Sequence, residues 1–285
     1  MNEDLEHEVE HFEAGVLARH VAICKRRLGG DGFITNPRSV QEKIAHIKLF
    51  GITKLMTRCS DKLAVRDYAR EVLGEDISVP VLGSWRNPHD IEFDSLPDKY
   101  VLKCNHGSGY NIVVEDASSL DRAAAVAKLS KWLSENFATS RGETQYLNIP
   151  RKCFAEAFVD HGDGPVDLKF VCLNGEPKFV KTEIRGGGHI RINWYDMDFR
   201  FLDYSNRMHP NDPTANVERP KLFDEMREVA SKLAKPFDLV RVDFLIGRER
   251  FYLGELTFTP GNGKMSYVGD PETGLKLGSM LRLTR

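Results

Sequence analysis

Asn174-Gly175 stands between two β-rich runs, residues 166–173 and 178–184. An Asn-Gly pair tolerates the positive φ angles of a tight hairpin turn, so the two runs are expected as antiparallel neighbours. The same logic extends along the chain after Leu96-Pro97-Asp98. A run at 99–104 enters a glycine-rich turn and returns at 111–115, another lies at 153–159, and 239–246 and 250–256 flank Gly247. Helical patterns at 123–137 and 220–234 interrupt these strands. Before residue 98 the reading is helical: 4–28 ending at Gly29-Gly30, 39–50 stopping at Gly51, and 61–73 with Asp61 as N-cap and Gly74 as stop. A glycine-rich segment, 185–189, leads into a polar, aromatic stretch without clear period through 216. The class is α+β with largely antiparallel sheets.

The chain has 285 residues, 41% of them hydrophobic, enough to bury a sizeable core. Forty basic and 42 acidic residues give a formal charge of −2, so no global field exists to hold a nucleic-acid backbone. The five cysteines (Cys24, Cys59, Cys104, Cys153, Cys172) show no paired or zinc-type spacing. They read as reduced core thiols of a cytoplasmic protein. No apolar run approaches the roughly 20 residues that span a bilayer, and the first residues are acidic rather than signal-like.

Two segments carry chemistry. Lys103 closes one strand and is followed by Asn105-His106-Gly107-Ser108-Gly109, where backbone N–H groups can approach phosphate oxygens and the lysine adds a point charge. The lysine precedes the glycines and a strand follows them, so this is not a P-loop. A plain hairpin turn also accounts for Gly-Ser-Gly. Near the C-terminus, alternation puts Arg241 and Asp243 on one strand face. A hairpin around Gly247 brings Glu255 towards Asp243. Two carboxylates on adjacent strands repel unless a cation joins them, and magnesium with ATP phosphates fits that need. The alternative is a surface ion network of Arg241, Asp243 and Glu255. The following Thr259-Pro260-Gly261-Asn262-Gly263 is either an oxyanion-facing loop or a simple turn. Arg185, His189, Arg191, Arg207 and His209 could line an anion pocket or a solvated loop.

In this order the segments resemble the TupA-like ATP-grasp family, which is linked to bacterial surface polysaccharide and teichuronopeptide synthesis. The likeness rests on Asp61-Lys62, Leu96 to Lys103, Asn105 to Gly109, Asp167-Leu168-Lys169-Phe170, Asn174-Gly175, Arg241-Val242-Asp243-Phe244 and Gly254 to Gly261. It implies an ATP-grasp fold of two α+β subdomains whose antiparallel sheets grip ATP, preceded by a helical N-terminal region. The expected division is 1–97 helical and accessory, 98–160 the small subdomain, and 161–285 the large subdomain with the metal site.

By the same resemblance, Lys62, Lys103 and Lys169 would reach phosphates, and His106, Gly107, Ser108 and Gly109 would fold over the triphosphate. Glu156 and Val159 fall where the hinge strand meets adenine, and Asp167 where a ribose-binding acid is usual. Arg241 would neutralise the transferring phosphoryl group. Asp243, Glu255 and Thr257 would hold Mg²⁺, with Thr257 replacing a common asparagine and Asn262 as a substitute ligand. Arg191 and His189 are the acceptor-side catalytic candidates, and His106 or His189 could take a proton from an attacking amine.

The implied reaction is an ATP- and Mg²⁺-dependent carboxylate–amine ligation through an acyl-phosphate, with small-molecule substrates, one of them sugar-linked. The rivals are a kinase phosphorylating an alcohol and a non-catalytic nucleotide-binding protein of a glycan-synthesis complex.

Overall fold

The computed structural model describes residues 12–162, 167–186, 189–204, 210–215, 217–263 and 271–284. The N-terminal third is helical: α1 (Ala14–Leu28), the short α2 (Gly32–Thr35), α3 (Val40–Phe50), α4 (Lys54–Ser60) and α5 (Ala64–Leu73). Gly29 ends α1 in the left-handed conformation at φ 77°, as its position after a basic last turn suggests. Ser39 caps α3 through a capping box with Glu42. The expected helix over 61–73 is α5, which starts only at Ala64, and a further helix, α4, precedes it across a turn. Thr53 caps α4 by accepting from the Met56 amide, and Asp61 ends that helix. The Asp61 carboxylate accepts from the Leu63 amide and from Asn105, so it fastens the turn rather than starting a helix.

A four-stranded sheet follows, ordered β1-β4-β2-β3 and antiparallel throughout. Its strands are β1 (Val81–Trp85), β2 (Tyr100–Cys104), β3 (Asn111–Val114) and β4 (Cys153–Ala157). β1 is an edge strand with little burial, so it carries no alternating signature in the sequence. Between β3 and β4 the expected helix divides into α6 (Arg122–Ser134) and α7 (Phe137–Arg141), each with its own side-chain cap, Asp121 and Asn136. Tyr100, Leu102 and Leu129 pack the core between this sheet and α6.

The second sheet has six strands, ordered β10-β9-β5-β6-β7-β8. They are β5 (Asp167–Leu173), β6 (Glu176–Gly186), β7 (His189–Tyr195), β8 (Phe201–Leu202), β9 (Leu239–Ile246) and β10 (Phe251–Thr257), with α8 (Phe223–Ala234) lying before β9. Asn174 and Gly175 turn β5 into β6 with φ of 50° and 82°. Phe170 projects from the sheet against Phe223 of α8 and meets Phe244 edge-on, all three fully buried. Each such side chain contributes roughly 1.5–3 kcal/mol by leaving water. β7 corrects the expectation of an irregular stretch after residue 189. The last helix, α9 (Pro271–Met280), packs on α3 so closely that a Cβ on Gly278 would lie 2.0 Å from the Arg38 carbonyl. Lys43 Nζ donates to the Gly278 carbonyl at 2.8 Å and to that of Leu281.

All five cysteines are buried and free, and burial pushes the Cys59 and Cys104 thiols up to about 12. Among the described residues no helix is long and apolar enough to cross a membrane.

Candidate active site

The acids at the centre of the site face each other because of a single extra residue. β10 pairs with β9 in the register Leu253–Phe244, then Glu255–Asp243 and Thr257–Arg241, skipping Gly254. An unbroken ladder would set Glu255 against Val242, on the buried face beside α8. The bulge at Gly254 shifts the register by one and turns Glu255 onto the face of Asp243. A Cβ at Gly254 would lie 3.2 Å from the Asp243 carbonyl, which favours glycine there.

Arg241, on the same face, binds this pair. Its Nε and Nη2 donate to the two Asp243 oxygens at 2.6 Å each, and Nη2 also reaches Glu255 at 3.3 Å and Thr257 at 3.1 Å. Asp243 and Arg241 are buried, so this is not a surface network. Burial pushes the Asp243 carboxyl above its ordinary range, partly offset by Arg241. Burial also opposes ionisation of Glu255, but Lys62, Arg241 and the Thr257 hydroxyl outweigh it and hold that carboxyl down to about 2.

The polar row continues across the sheet, with Asp243 opposite Lys169 and Lys169 opposite Lys181. Lys169 pairs with Asp167 at 2.9 Å and Glu183 at 2.8 Å. Burial disfavours its charge, but Asp243 and Asp167 prevail and raise its pKa. Lys181 is almost fully buried; burial, then repulsion from Arg241 and Lys169, push it down to about 7. Nothing in the sequence marks Lys181 except its place two residues before Glu183 on a strand.

The four-stranded sheet supplies the opposite wall. Lys103 pairs with Glu156, whose other oxygen is 3.2 Å from Arg66. Lys62, in the turn after α4, donates to the Gly107 carbonyl at 2.7 Å and lies 3.4 Å from Glu255. One lysine thus ties the glycine loop to the acidic strand. Asn105 anchors the loop from below, donating to Asp61 and to the Pro150 carbonyl and accepting from the Lys152 amide. Gly107 and Gly109 both take φ of 80°, and a Cβ on Gly107 would meet the Phe137 and Tyr110 rings at 2.9 Å. Lys62, Lys103, Lys169, Asp243 and Glu255 all line one cavity of about 240 Å³.

Other expected residues fall elsewhere. Val159 packs against the Gly247 turn, where the two sheets meet. His106 is buried behind the loop, with Nε2 3.2 Å from the Trp132 carbonyl and Nδ1 without a hydrogen-bond partner. Asn262, the substitute metal ligand, accepts from Lys48 at 2.5 Å. Arg191 lies opposite Ile184, three residues (an odd number) along from the Lys181–Trp194 pair, so it stands on the other face of the sheet and pairs with Asp212 at 2.9 Å. It is not brought to the acids. His189 begins β7 and Arg185 lies in β6, but their side chains, like all of Arg207 and His209, are outside the described residues.

Burial lowers the His106 pKa from 6.5 to about 4, so the unfolded chain binds a proton first as pH falls. This residue's contribution is therefore complete above pH 6.5 and is lost as pH drops towards 4, by up to about 3 kcal/mol. His106→Gln is expected to flatten the melting temperature against pH across that window. An unchanged acid limb would refute a buried, neutral histidine.

The residues present fit a polyphosphate with a magnesium ion. Two carboxylates and a hydroxyl make a small oxygen set, suited to an ion that completes its shell with phosphate and water. Among the described residues no group of three or more His, Cys, Asp or Glu gathers for a metal held by protein alone.

The family model described as TupA-like ATPgrasp matches residues 42–282. No curated protein matches the chain. Among solved structures, D-alanine–D-alanine ligase from Helicobacter pylori is similar at 16% identity and TM-score 0.43, over 80% of this chain and 60% of that one. The same enzyme from Bacillus anthracis, complexed with ATP, gives 12% and 0.46 over 85% and 70%. N5-carboxyaminoimidazole ribonucleotide synthetase from Thermus thermophilus gives 13% and 0.43 over 85% and 69%. The chain thus spans about three-fifths of the length of the first of these.

Proposed function

Because the chain belongs to the TupA-like ATP-grasp family and has the ATP-grasp fold, we propose that it is an ATP- and Mg²⁺-dependent carboxylate–amine ligase. Its proposed role is to join an amino acid to a sugar acid or a similar precursor in surface polysaccharide biosynthesis. The observation that supports this most is the cavity where one lysine from each sheet and Lys62 from the turn after α4 surround Asp243 and Glu255. Cations facing paired acids suit a triphosphate and its metal better than either charge alone. In this reading 1–97 is the helical region, 98–160 the small subdomain together with β1, and 161–285 the large subdomain.

Lys103 and Lys169 orient the phosphates, and the Gly107–Gly109 turn covers them with Lys62 holding it shut. Glu156 and Val159 border the adenine, and Asp167 the ribose. Asp243, Glu255 and Thr257 would hold magnesium, which when bound neutralises phosphate charge during transfer. Arg241 stabilises the charge on the γ-phosphoryl group as it passes to the substrate carboxylate. An amine then attacks the acyl carbon, forming C–N and breaking C–O. Of the three protons of the ammonium, one passes to solvent before attack, a second leaves with the departing phosphate, and the third remains on the amide nitrogen.

The test is magnesium-dependent ADP release across a matrix of sugar acids and amino acids, with mass spectrometry of products. An amide that accumulates only when carboxylate and amine are both present is expected. A phosphoester formed from an alcohol alone would establish the kinase instead, and no ADP with any pair would sink both.

A further inference from the structure

Glu255 also lines a second cavity, of about 280 Å³, between α7 and the turns at Thr144–Tyr146 and Pro260–Gly263. Two residues there, neither suggested by the sequence, carry opposite charges and form no ion pair among the described residues. Glu143 is 7% exposed, and its one hydrogen bond is from the neutral Thr259 hydroxyl. Gln145 donates to that hydroxyl at 2.7 Å, so the threonine proton must point at Glu143, which is the terminal acceptor. A carboxylate buried with a single neutral donor is costly unless a cation completes it. Arg141 faces the same cavity; its guanidinium lies 5.9 Å from the Phe137 ring and acts on Glu143 only at a distance. Neither residue forms an ion pair among the described residues.

We propose that this cavity binds a small zwitterion, its ammonium on Glu143 and its anionic group on Arg141. An unpaired carboxylate and an unpaired guanidinium in one cavity select a ligand carrying both complementary charges and reject one carrying either alone. The volume suits a molecule of amino-acid size. Arg241 lines the same cavity, so the bound amine faces the group that handles the phosphoryl transfer. This last step rests on the ligase reading; the binding itself does not. Burial raises the Glu143 carboxyl above its ordinary range, as fits a group awaiting a cation.

The probe is the set of standard α-amino acids, with their N-acetyl derivatives and methyl esters, observed by saturation-transfer NMR on the full chain. Each is run with and without Mg²⁺ and a non-hydrolysable ATP analogue. One or more free amino acids are expected to bind, and their acetylated and esterified forms to bind at least about tenfold more weakly. Glu143→Gln, which keeps an acceptor for Thr259, and the exposed Arg141→Gln are each expected to weaken the amino acid about tenfold or more, with nucleotide affinity unchanged. Equal binding of the blocked forms, unaffected variants, or no amino acid bound would overturn the proposal. Amino-acid binding lost in both variants would uphold it even if the analogue failed to bind, which would fell the ATP reading alone.

Discussion

Glu255→Gln is expected to lower magnesium-dependent ADP formation by about 10²–10³ and also to lower the melting temperature, because a carboxyl held down to about 2 stabilises the fold in its ionised form. Glutamine still accepts from the Thr257 hydroxyl, which lies 3.0 Å from Glu255, and the Arg241–Asp243 pair is untouched. The substitution therefore removes one charge from the metal side of the cleft, and with it the pairing to Lys62 and Arg241. Asp243→Asn is expected to lose as much activity and also some stability. Arg241 places two donors on Asp243, and an amide offers oxygen to only one of them. Steady-state ADP release with matched thermal melts distinguishes the two effects. Normal turnover in either variant would remove these residues from the metal site.

Arg241→Leu should destabilise the fold by about 3–5 kcal/mol, because the arginine is the shared cation of two acids. Removing it leaves Asp243 buried and Glu255 beside it, with Lys62 and Lys169 as the nearest compensation. Magnesium is expected to recover part of that loss, since a divalent ion can stand where the guanidinium stood. The same addition should move the parent protein less. Arg241→Lys keeps a charge but loses the two-pronged contact, so it is expected to fold and to fall well short in activity. A melting temperature of Arg241→Leu equal to the parent's, with no response to magnesium, would contradict the buried-network account.

The opposition of Asp243 and Glu255 was readable from the sequence only in outline. A hairpin about Gly247 places the two strands side by side, but an even ladder points Glu255 the wrong way, and the correcting bulge at Gly254 leaves no local signal beyond a glycine. The Asn174-Gly175 turn and the capped helices were plain because their chemistry is local. β7 was obscured by its glycine-rich approach, although Ile192 and Trp194 alternate with Asn193 as a strand requires. Its buried Asn193 reads as loop polarity, yet it holds the Asp212 backbone through both its amide nitrogen and its oxygen. Arg191 was a reasonable anion ligand by composition, and strand parity carries it to the other face. Glu143 and Arg141 acquire meaning only when the Pro260–Gly263 turn arrives more than a hundred residues later, as the separation of the Thr259–Glu143 pair illustrates.

The seating of Gly278 on Arg38 bears on how the molecule matures in the cell. Lys43 meets the carbonyl of a residue 235 positions further on. At about 5–20 residues per second, synthesis runs for roughly 10–50 s after Lys43 is made before that partner exists. Throughout this interval the first helices lack the surface they are shaped to meet. The nascent polypeptide should therefore depend on chaperones until elongation passes α9, and ribosome-bound fragments ending before it should be cut readily by proteases.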